Sequence, residues 1–239
     1  MRDQRIRVVA DRPELDHAAA GLVLQALDQA DGRLSLSLAG GSTPRGAYEI
    51  LAAEGRRWDG VQLLFGDERM VPPDHPASND RMAREALVDR IDIPPENVHR
   101  IRGELPPWTA AAGAEAALHA AVPERWEGWP SIDLVLLGMG PEGHTASLFP
   151  EDPALDERVR AYVPVHRPDL PQPDRVTITL PVLLAARRVV LLVDGEEKAP
   201  ALVRALAGDP SVPAGRLVGA REVVWIATQA AAGRMSRRP

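Results

Sequence analysis

The chain has 239 residues, a net charge of -6 from 28 basic and 34 acidic side chains, and an apolar fraction of 45%. These values are ordinary for a globular protein and favour one domain over residues 1–239, although two small domains would also fit. Because the sequence contains no cysteine, disulfide scaffolds, thiolate metal sites, iron–sulfur clusters and cysteine nucleophiles are excluded.

Neither a membrane nor a nucleic acid is an expected partner. No apolar run is long enough to span a bilayer, and the first residues lack a signal-peptide core, so we expect a cytoplasmic protein. The acidic balance argues against a phosphate-backbone binder. Arg234, Arg237 and Arg238 near the end of the chain are predicted to be solvated rather than to form a nucleic-acid arm. The sequence leaves the oligomeric state open, and a monomer is compatible with it.

Apolar runs of strand length alternate with stretches of helical period along the chain, which is typical of βαβ construction. Strands are predicted at residues 6–10, 34–39, 61–65, 132–137, 161–165, 175–179, 189–193 and 223–227. Helices are predicted at residues 14–30, 44–53, 79–90, 109–121 and 196–207. We therefore expect an α/β fold with a Rossmann-like, doubly wound, mainly parallel sheet flanked by helices, in which all eight strands share one sheet.

The first loop of interest follows the second predicted strand and contains Gly40, Gly41, Ser42, Thr43 and Pro44. Ligands of open α/β sheets bind beyond the carboxyl ends of the strands, and free N–H groups at a helix start favour an anion. The loop therefore predicts an anion cradle. One alternative is a plain helix start capped by Ser42 or Thr43; a serine nucleophile is disfavoured because Pro44 stands where the nucleophile elbow needs glycine.

The second loop follows the third predicted strand and carries Asp67, Glu68 and Arg69. Two carboxylates and a guanidinium directly at a strand end are expected to face a polar ligand or each other. A surface ion-pair turn is the structural alternative. A metal site is a further alternative whose spacing fits no familiar ligand pattern, and it would use Asp67, Glu68, Asp74 and His75.

The third loop runs from Gly138 to Pro150 and presents His144, with Glu142 nearby. Its Gly-x-Gly-x-x-Gly pattern ordinarily suggests a dinucleotide site. Pro150 stops any following helix, and no strand with an acidic end follows at the expected distance, so we reject that interpretation. A lone histidine is often structural, but one in a glycine-rich loop at a strand end favours acid–base catalysis.

Two later cations, Arg175 and Lys198, are predicted to complete an anion pocket. Lys198 is the only lysine of the sequence, which suggests a specific role. The alternative for each cation is an ordinary solvated surface charge.

Together the three loops resemble the 6-phosphogluconolactonase family. The shared motifs are Gly-Gly-Ser-Thr-Pro, Asp-Glu-Arg-x-Val-Pro, Ser-Asn and Gly-His-Thr-Ala-Ser-Leu-Phe-Pro, in that order between Ala39 and Lys198. The family usually has aspartate before the Gly-His pair, where this chain has Glu142, whose carboxylate reaches one methylene further. Glucosamine-6-phosphate deaminases share the fold, but Thr145 and Arg69 stand on the lactonase side of the comparison.

The resemblance implies hydrolysis of 6-phospho-D-glucono-1,5-lactone to 6-phospho-D-gluconate in the oxidative pentose phosphate pathway, with no metal and no cofactor. A lactone carbonyl is already electrophilic, so the attacking water needs only a base and a few oxyanion donors. His144 is then expected to be the general base and afterwards the acid. The N–H groups between Gly140 and Gly143 are the expected oxyanion donors, and Asp67 would orient His144 or a sugar hydroxyl.

The resemblance also implies where the substrate lies. The 6-phosphate is expected on Gly41, Ser42 and Thr43, neutralised by Arg175 and Lys198. Arg69 would bind the phosphate or polarise the lactone carbonyl. Two rival functions are a glucosamine-6-phosphate deaminase and a sugar-phosphate sensor without catalysis; the second has no need of His144 or Asp67.

Overall fold

The computed structural model describes residues 3–235 of the chain. Arg237 and Arg238, two of the three arginines predicted to be solvated, lie outside these residues, and Arg234 is exposed. The described part contains twelve strands: β1 (Asp3–Val9), β2 (Leu34–Leu38), β3 (Val61–Phe65), β4 (Asp67–Arg69), β5 (Val98–His99), β6 (Arg125–Trp126), β7 (Trp129–Pro130), β8 (Leu134–Gly138), β9 (Tyr162–His166), β10 (Asp174–Ile178), β11 (Arg188–Val193) and β12 (Glu222–Thr228).

Seven α-helices accompany these strands: α1 (Arg12–Gln29), α2 (Arg45–Ala53), α3 (Asn79–Ala86), α4 (Pro107–Ala121), α5 (Leu180–Ala185), α6 (Ala199–Leu206) and α7 (Gln229–Ala232). The helix α1 begins where Asp11 accepts a hydrogen bond from the N–H of Glu14 and so caps the first turn. No helix in the described chain is both long and apolar enough to cross a membrane.

The central sheet is parallel and has seven strands in the order β1-β12-β11-β8-β2-β3-β5. Its inner strands are buried on both faces, as parallel strands between helices require. β8 and β11 are nearly continuous apolar runs, whereas β2 alternates leucine with buried serine. The predicted α/β fold with a mainly parallel, doubly wound sheet is therefore confirmed.

The strand order reverses between β2 and β8. From β2 the chain moves outwards to β3 and β5, whereas β8 leads in the other direction to β11 and β12. At such a reversal the loops beyond the carboxyl ends of the two strands separate and leave a crevice. The loops that follow β2, β3 and β8 are the three that the sequence marked for function.

One expectation about the sheet is wrong. The predicted strands 161–165 and 175–179 exist as β9 and β10, but they form a separate antiparallel sheet with β4, in the order β4-β10-β9. The connection between β9 and β10 is short, whereas a parallel crossover needs a dozen or more residues. This small sheet brings Arg69 of β4 opposite Arg175 of β10.

Two helices differ from their predicted ranges by three or more residues at one end. The helix predicted for residues 79–90 ends at Ala86 and continues as a 3₁₀ turn at Val88–Arg90. The helix predicted for residues 196–207 starts with a 3₁₀ turn at Glu196–Lys198, and its α-helical part begins at Ala199 beside Pro200, which has no N–H to donate.

Candidate active site

His144 and Glu142 form a pair in the loop that follows β8. The Nδ1 atom of His144 lies 2.8 Å from Oε1 of Glu142, and this contact lowers the pKa of the Glu142 carboxyl. The imidazole is 27% exposed, so it is held by the loop and open to the crevice. Because the carboxylate occupies Nδ1, the nitrogen left to meet a ligand is Nε2.

The backbone of this loop is used to hold its own shape. The N–H of Gly140 donates to the carbonyl of His144 at 2.9 Å, and the N–H of Gly143 donates to the carbonyl of Gly140 at 3.0 Å. Pro141 between them has no N–H. Among the N–H groups between Gly140 and Gly143 that are expected as oxyanion donors, those of the two glycines are already bonded within the loop, and these glycines shape the turn that carries His144.

An aromatic ring links His144 to two cations. Phe149 is buried, and its ring centroid lies 4.6 Å from that of the His144 imidazole. The guanidinium carbon of Arg167 lies 4.3 Å from the Phe149 ring centroid, and that of Arg175 lies 5.7 Å from it. The stack limits rotation of the imidazole and places positive charge close to it.

Asp67 lies at the start of β4 and is buried. Its Oδ2 accepts a hydrogen bond from the Ser147 hydroxyl at 2.7 Å. The Asn79 amide nitrogen donates to the Asp67 main-chain carbonyl at 2.8 Å and to Oδ1 at 3.2 Å. Within the described residues Asp67 makes no hydrogen bond to His144, so the carboxylate that orients the imidazole is Glu142.

The Glu68 carboxylate is hydrogen-bonded to the protein itself and has a structural role. At the start of α3 its carboxylate accepts hydrogen bonds at 2.7–3.0 Å from the N–H groups of Asn79 and Asp80 and from the Ser78 hydroxyl. It also accepts one at 2.8 Å from the N–H of Arg69, the next residue of β4. Burial raises its pKa to about 7, against the opposite effect of these donors. The surface ion-pair alternative for this turn is thus wrong, since Asp67 and Glu68 are both buried and bonded to α3 or its neighbours.

The residues considered for a metal site are not gathered around one point. The Nδ1 atom of His75 accepts a hydrogen bond from the N–H of Ala77 at 3.0 Å, and the Glu68 oxygens are occupied by the α3 donors. Between residues 3 and 235 no three side chains of the His, Asp or Glu type are grouped so as to hold a metal ion.

Arg69 and Arg175 face each other across the β4–β10 pair. One Arg69 nitrogen, Nη1, donates to the carbonyl of Ala77 at 2.7 Å, while its buried Nε has no acceptor in the described chain. The Nε of Arg175 donates to the carbonyl of Gln172 at 3.2 Å, and burial, followed by the charge of Arg69, lowers its pKa. Two like charges directly opposite each other are unfavourable without an anion between or beside them.

The loop of residues 40–43, which we call the cradle, follows β2. Gly41 has φ +81°, a conformation that glycine adopts without strain. The N–H groups of Gly40, Gly41, Ser42 and Thr43 have no acceptor within residues 3–235. The N-cap of α2 is Pro44 and no side chain caps this helix, so the alternative that Ser42 or Thr43 acts as its cap is wrong. The cradle offers unused donors at a helix start.

Lys198 lies in the turn that precedes α6 and is half-buried. Burial lowers its pKa, opposed by the nearby Glu197 and Asp194 carboxylates. A half-buried ammonium next to acidic groups and close to Arg12 is not an ordinary solvated charge.

The structure adds four side chains that the sequence did not single out for these contacts. Ser147 and Asn79 hold Asp67, Arg167 lies on Phe149, and Arg12 contacts the cradle from behind. Of these, Ser147 lies in the Gly-His-Thr-Ala-Ser-Leu-Phe-Pro motif and Asn79 in the Ser-Asn motif. Membership of these motifs is the sequence signal that could have indicated the two residues. Arg12 follows a helix cap and has the appearance of an ordinary surface residue.

A separate groove of about 1020 Å³ opens at the amino ends of the strands, away from these loops. Two ion pairs lie within it, Arg187 with Asp133 at 3.1 Å and Arg188 with Glu222 at 2.8 Å. Because it lacks the imidazole and the unused N–H donors, the groove is not the candidate active site.

Comparison with known proteins gives a consistent result. A family model described as "Glucosamine-6-phosphate isomerases/6-phosphogluconolactonase" matches residues 10–225. A 6-phosphogluconolactonase from Nostoc sp. is 38% identical over 238 residues, covering 97% of this chain and 98% of its own length. The 6-phosphogluconolactonase from Homo sapiens is 40% identical and covers 84% of this chain and 81% of its own length.

Solved structures agree with these sequence matches. The crystal structure of 6-phosphogluconolactonase from Thermotoga maritima superimposes with a TM-score of 0.83 at 31% identity, covering 95% of this chain and 100% of that one. A monomeric glucosamine-6-phosphate deaminase superimposes with a TM-score of 0.82 at 21% identity, covering 96% and 99% of the two chains. The second likeness concerns the fold alone.

Proposed function

Because this chain belongs to the family of glucosamine-6-phosphate isomerases and 6-phosphogluconolactonases, we propose that its crevice hydrolyses 6-phospho-D-glucono-1,5-lactone to 6-phospho-D-gluconate. Its relatives at 38–40% identity place it among the lactone-hydrolysing enzymes of that family. The observation that carries the proposal is the His144 imidazole, held at 2.8 Å by Glu142 and open towards the crevice beside unused N–H donors.

His144 acts as the general base in the proposed mechanism. Its Nε2 takes a proton from water as the water oxygen attacks the lactone carbonyl carbon, and the imidazolium that forms is stabilised by Glu142 at Nδ1. The imidazolium then returns a proton to the ring oxygen as the bond between that oxygen and the carbonyl carbon breaks. No metal is needed, because the lactone carbonyl is activated and the leaving oxygen receives its proton from His144.

Charge on the carbonyl oxygen needs donors other than Gly140 and Gly143, whose N–H groups are bonded within the loop. We assign this role to the guanidinium of Arg69, which lies opposite Arg175 and whose Nη2 makes no hydrogen bond within the described chain. Asp67, fixed by Ser147 and Asn79, is assigned to a sugar hydroxyl. This choice follows from its lack of contact with His144.

The 6-phosphate is placed on the cradle, where Gly40, Gly41, Ser42 and Thr43 present N–H groups at the start of α2. Arg175 and Lys198 supply the neutralising charge in this proposal. Both cations are at least half-buried, and burial lowers the pKa of each, so an incoming dianion would stabilise their charged forms.

The test follows acid release from freshly generated 6-phosphogluconolactone above the spontaneous rate. His144→Ala should lower kcat by about 10²- to 10⁴-fold with little change in KM, the range for loss of a general base. Arg175→Ala and Lys198→Ala should chiefly raise KM. The control is His17→Ala, which removes an exposed imidazole on α1 and should leave both constants unchanged.

Unchanged turnover in the His144 variant would remove the base assignment. Ammonia release from glucosamine 6-phosphate, with no acceleration of lactone opening, would move the protein to the deaminase branch. Binding of the sugar acid phosphate without either reaction would support the sensor alternative.

The setting of the reaction is part of the proposal. We place the enzyme in the cytoplasm, as the second step of the oxidative pentose phosphate pathway, with the sugar-phosphate lactone as its small-molecule partner. The support is the family membership and the absence of cysteine from the sequence.

A further inference from the structure

Arg12, the first residue of α1, reaches behind the cradle with its guanidinium. The Nη2 atom donates to the carbonyl of Ser42 at 2.5 Å and to the carbonyl of Thr43 at 2.7 Å. These are two consecutive carbonyls of the loop that follows β2, in a segment 30 residues away along the chain. The side chain of Arg12 therefore ties the start of α1 to the cradle.

The same guanidinium is anchored on two other elements. Its Nε donates to Asp16 of α1 at 3.0 Å, and its Nη1 donates to Asp194, after β11, at 3.2 Å. Asp194 in turn accepts a hydrogen bond from the Thr228 hydroxyl at the end of β12, at 3.0 Å. A planar guanidinium with four acceptors on fixed elements has little freedom to turn.

The position of the carbonyls decides where the donors point. In a planar trans peptide the C=O and the following N–H point in opposite directions. Because the carbonyl of Ser42 is directed at Arg12, the N–H of Thr43 is directed away from Arg12, where no acceptor from residues 3–235 meets it. Arg12 thus sets the face of the cradle from which an anion is bound.

Charge balance fits this positioning role. Arg12 forms ion pairs with Asp16 and Asp194 within the protein. Its positive charge therefore attracts a ligand less than the charge of an unpaired cation would. Lys198 shares the neighbourhood, since the charges of Asp194 and Arg12 both act on its ammonium. All the hydrogen bonds described for Arg12 are therefore to the cradle and to the two carboxylates that anchor its guanidinium.

We propose that Arg12 is a positioning residue of the cradle, which holds the loop so that its N–H groups bind the phosphate of the substrate. The inference rests on the proposed function only for the identity of the phosphorylated ligand, which is the sugar-phosphate lactone. Its consequence is specific: Arg12 should matter for phosphorylated ligands and should not matter for the hydrolytic step itself.

The experiment compares wild type, Arg12→Ala, Arg12→Lys and the control Arg45→Ala. Arg45 is the residue next to Pro44, but its guanidinium bonds to Glu49 at 3.1 Å and Glu85 at 3.5 Å on the outside of the protein. Lysine at position 12 keeps the charge and lacks the planar fork, so that variant stays informative if the alanine variant fails to fold. A thermal melt of each variant establishes that it is folded.

Two substrates and one direct binding measurement are used. The KM for the phosphorylated lactone and the calorimetric Kd for its product, 6-phosphogluconate, should both rise about tenfold in the Arg12 variants, as expected when a binding loop is misplaced, with kcat within about threefold of wild type. Glucono-1,5-lactone, which has no phosphate, should be hydrolysed equally by all four proteins. The Arg45 variant should match wild type throughout.

Wild-type affinity for 6-phosphogluconate in both Arg12 variants would overturn the inference, and so would an equal loss of activity on the two lactones. A wild-type protein that binds 6-phosphogluconate but opens neither lactone faster than water would overturn the proposed function. In that case the affinity comparison would still decide the role of Arg12: a higher Kd in the variants supports it and an equal Kd refutes it.

Discussion

At the scale of single residues, the orientation of His144 depends on a glycine beneath it. A Cβ placed on Gly140 would overlap the imidazole Nδ1 and would also press on Oε2 of Glu142. The backbone at Gly140 accordingly allows the imidazole to fold back over the loop and meet its carboxylate. A side chain at this position would separate the two catalytic groups without entering the apolar core.

Gly140→Ala should therefore lower kcat by about 10- to 100-fold, with a smaller effect on KM, because a shifted base loses its alignment with the attacking water. The matched control is Gly138→Ala at the end of β8, where no described atom beyond the two flanking residues lies within 4 Å of the added Cβ. Steady-state kinetics on both variants, with thermal melts to compare stability, makes the comparison. Equal kinetics for the two alanine variants would contradict the view that Gly140 positions the imidazole.

Residues of the site were predictable from the sequence where their partners are near in the chain. Glu142 and His144 are two positions apart in a turn, so their proximity could be expected. The Ser147 hydroxyl meets Asp67 across 80 residues, and Arg12 meets the cradle across 30. Such pairs are created by the strand order, which local pattern does not reveal.

At the scale of elements, the joint between β4 and α3 is built around one carboxylate. Glu68 accepts hydrogen bonds from the N–H groups of Asn79 and Asp80 in the first turn of α3, so a strand residue caps the helix. Asn79, fixed in this way, then donates a hydrogen bond to the Asp67 carboxylate. The protonation state of Glu68 therefore bears on both stability and the site.

Burial raises the pKa of Glu68 to about 7, from an ordinary value of 4.5. Between pH 4.5 and 7 the folded protein keeps a proton on this carboxyl that the unfolded chain has lost, so the free energy of unfolding falls as pH rises. The slope reaches about 1.4 kcal/mol per pH unit for one proton, or about 3 kcal/mol over the window. Glu68→Gln should remove this contribution. In urea titrations the free energy of unfolding of the variant should therefore increase relative to that of wild type as pH rises.

The control for that measurement is Glu85→Gln, on the same helix. The pKa of Glu85 is lowered by its hydrogen bond to Arg81, so its contribution to stability lies above pH 4.5 and is lost below it. The Glu85 variant should run parallel to wild type between pH 4.5 and 7. Parallel curves for the Glu68 variant as well would mean that the four hydrogen-bond donors keep Glu68 ionised throughout.

The sequence pattern predicts most of the strands and helices, but it does not predict which strands pair with each other. All eight predicted strands are present, but the sheet of β9 and β10 was assigned wrongly because apolar alternation does not record strand direction. The short segment between these two strands already favoured an antiparallel pair. Strands of two or three residues, such as β4 and β5, are below the length at which periodicity is visible.

At the scale of the whole molecule, the strand order determines where the crevice lies. The proposed charge of the crevice is positive, opposite in sign to the net charge of the protein. The strand order reverses between β2 and β8, which brings three loops from distant parts of the chain to one edge. The chain carries a net charge of -6, whereas the crevice is proposed to bind its anionic substrate through Arg69, Arg175 and Lys198. One domain over residues 1–239 stays a prediction, which a single calorimetric unfolding transition would support.

These opposing charges predict how the reaction depends on salt. The repulsion of a phosphate by the net charge of -6 is spread over the molecule, and salt screens such long-range interactions beyond about 10 Å at 0.1 M. Attraction by the crevice cations acts at contact distance and is worth about 1–4 kcal/mol per pair near a protein surface, so it outweighs the repulsion. Raising ionic strength also supplies anions that compete with the phosphate for these cations, so the larger, attractive contribution should weaken.

For the phosphorylated lactone, KM should accordingly rise several-fold between about 0.05 and 0.5 M salt, while kcat changes little. Glucono-1,5-lactone, which is uncharged, should show a KM independent of salt over the same range. In Lys198→Ala the salt effect on the phosphorylated substrate should be smaller, because one of the cations for which salt anions and phosphate compete is gone. A KM that falls with salt would mean that the overall negative charge governs substrate capture and that the crevice cations are neutralised within the protein.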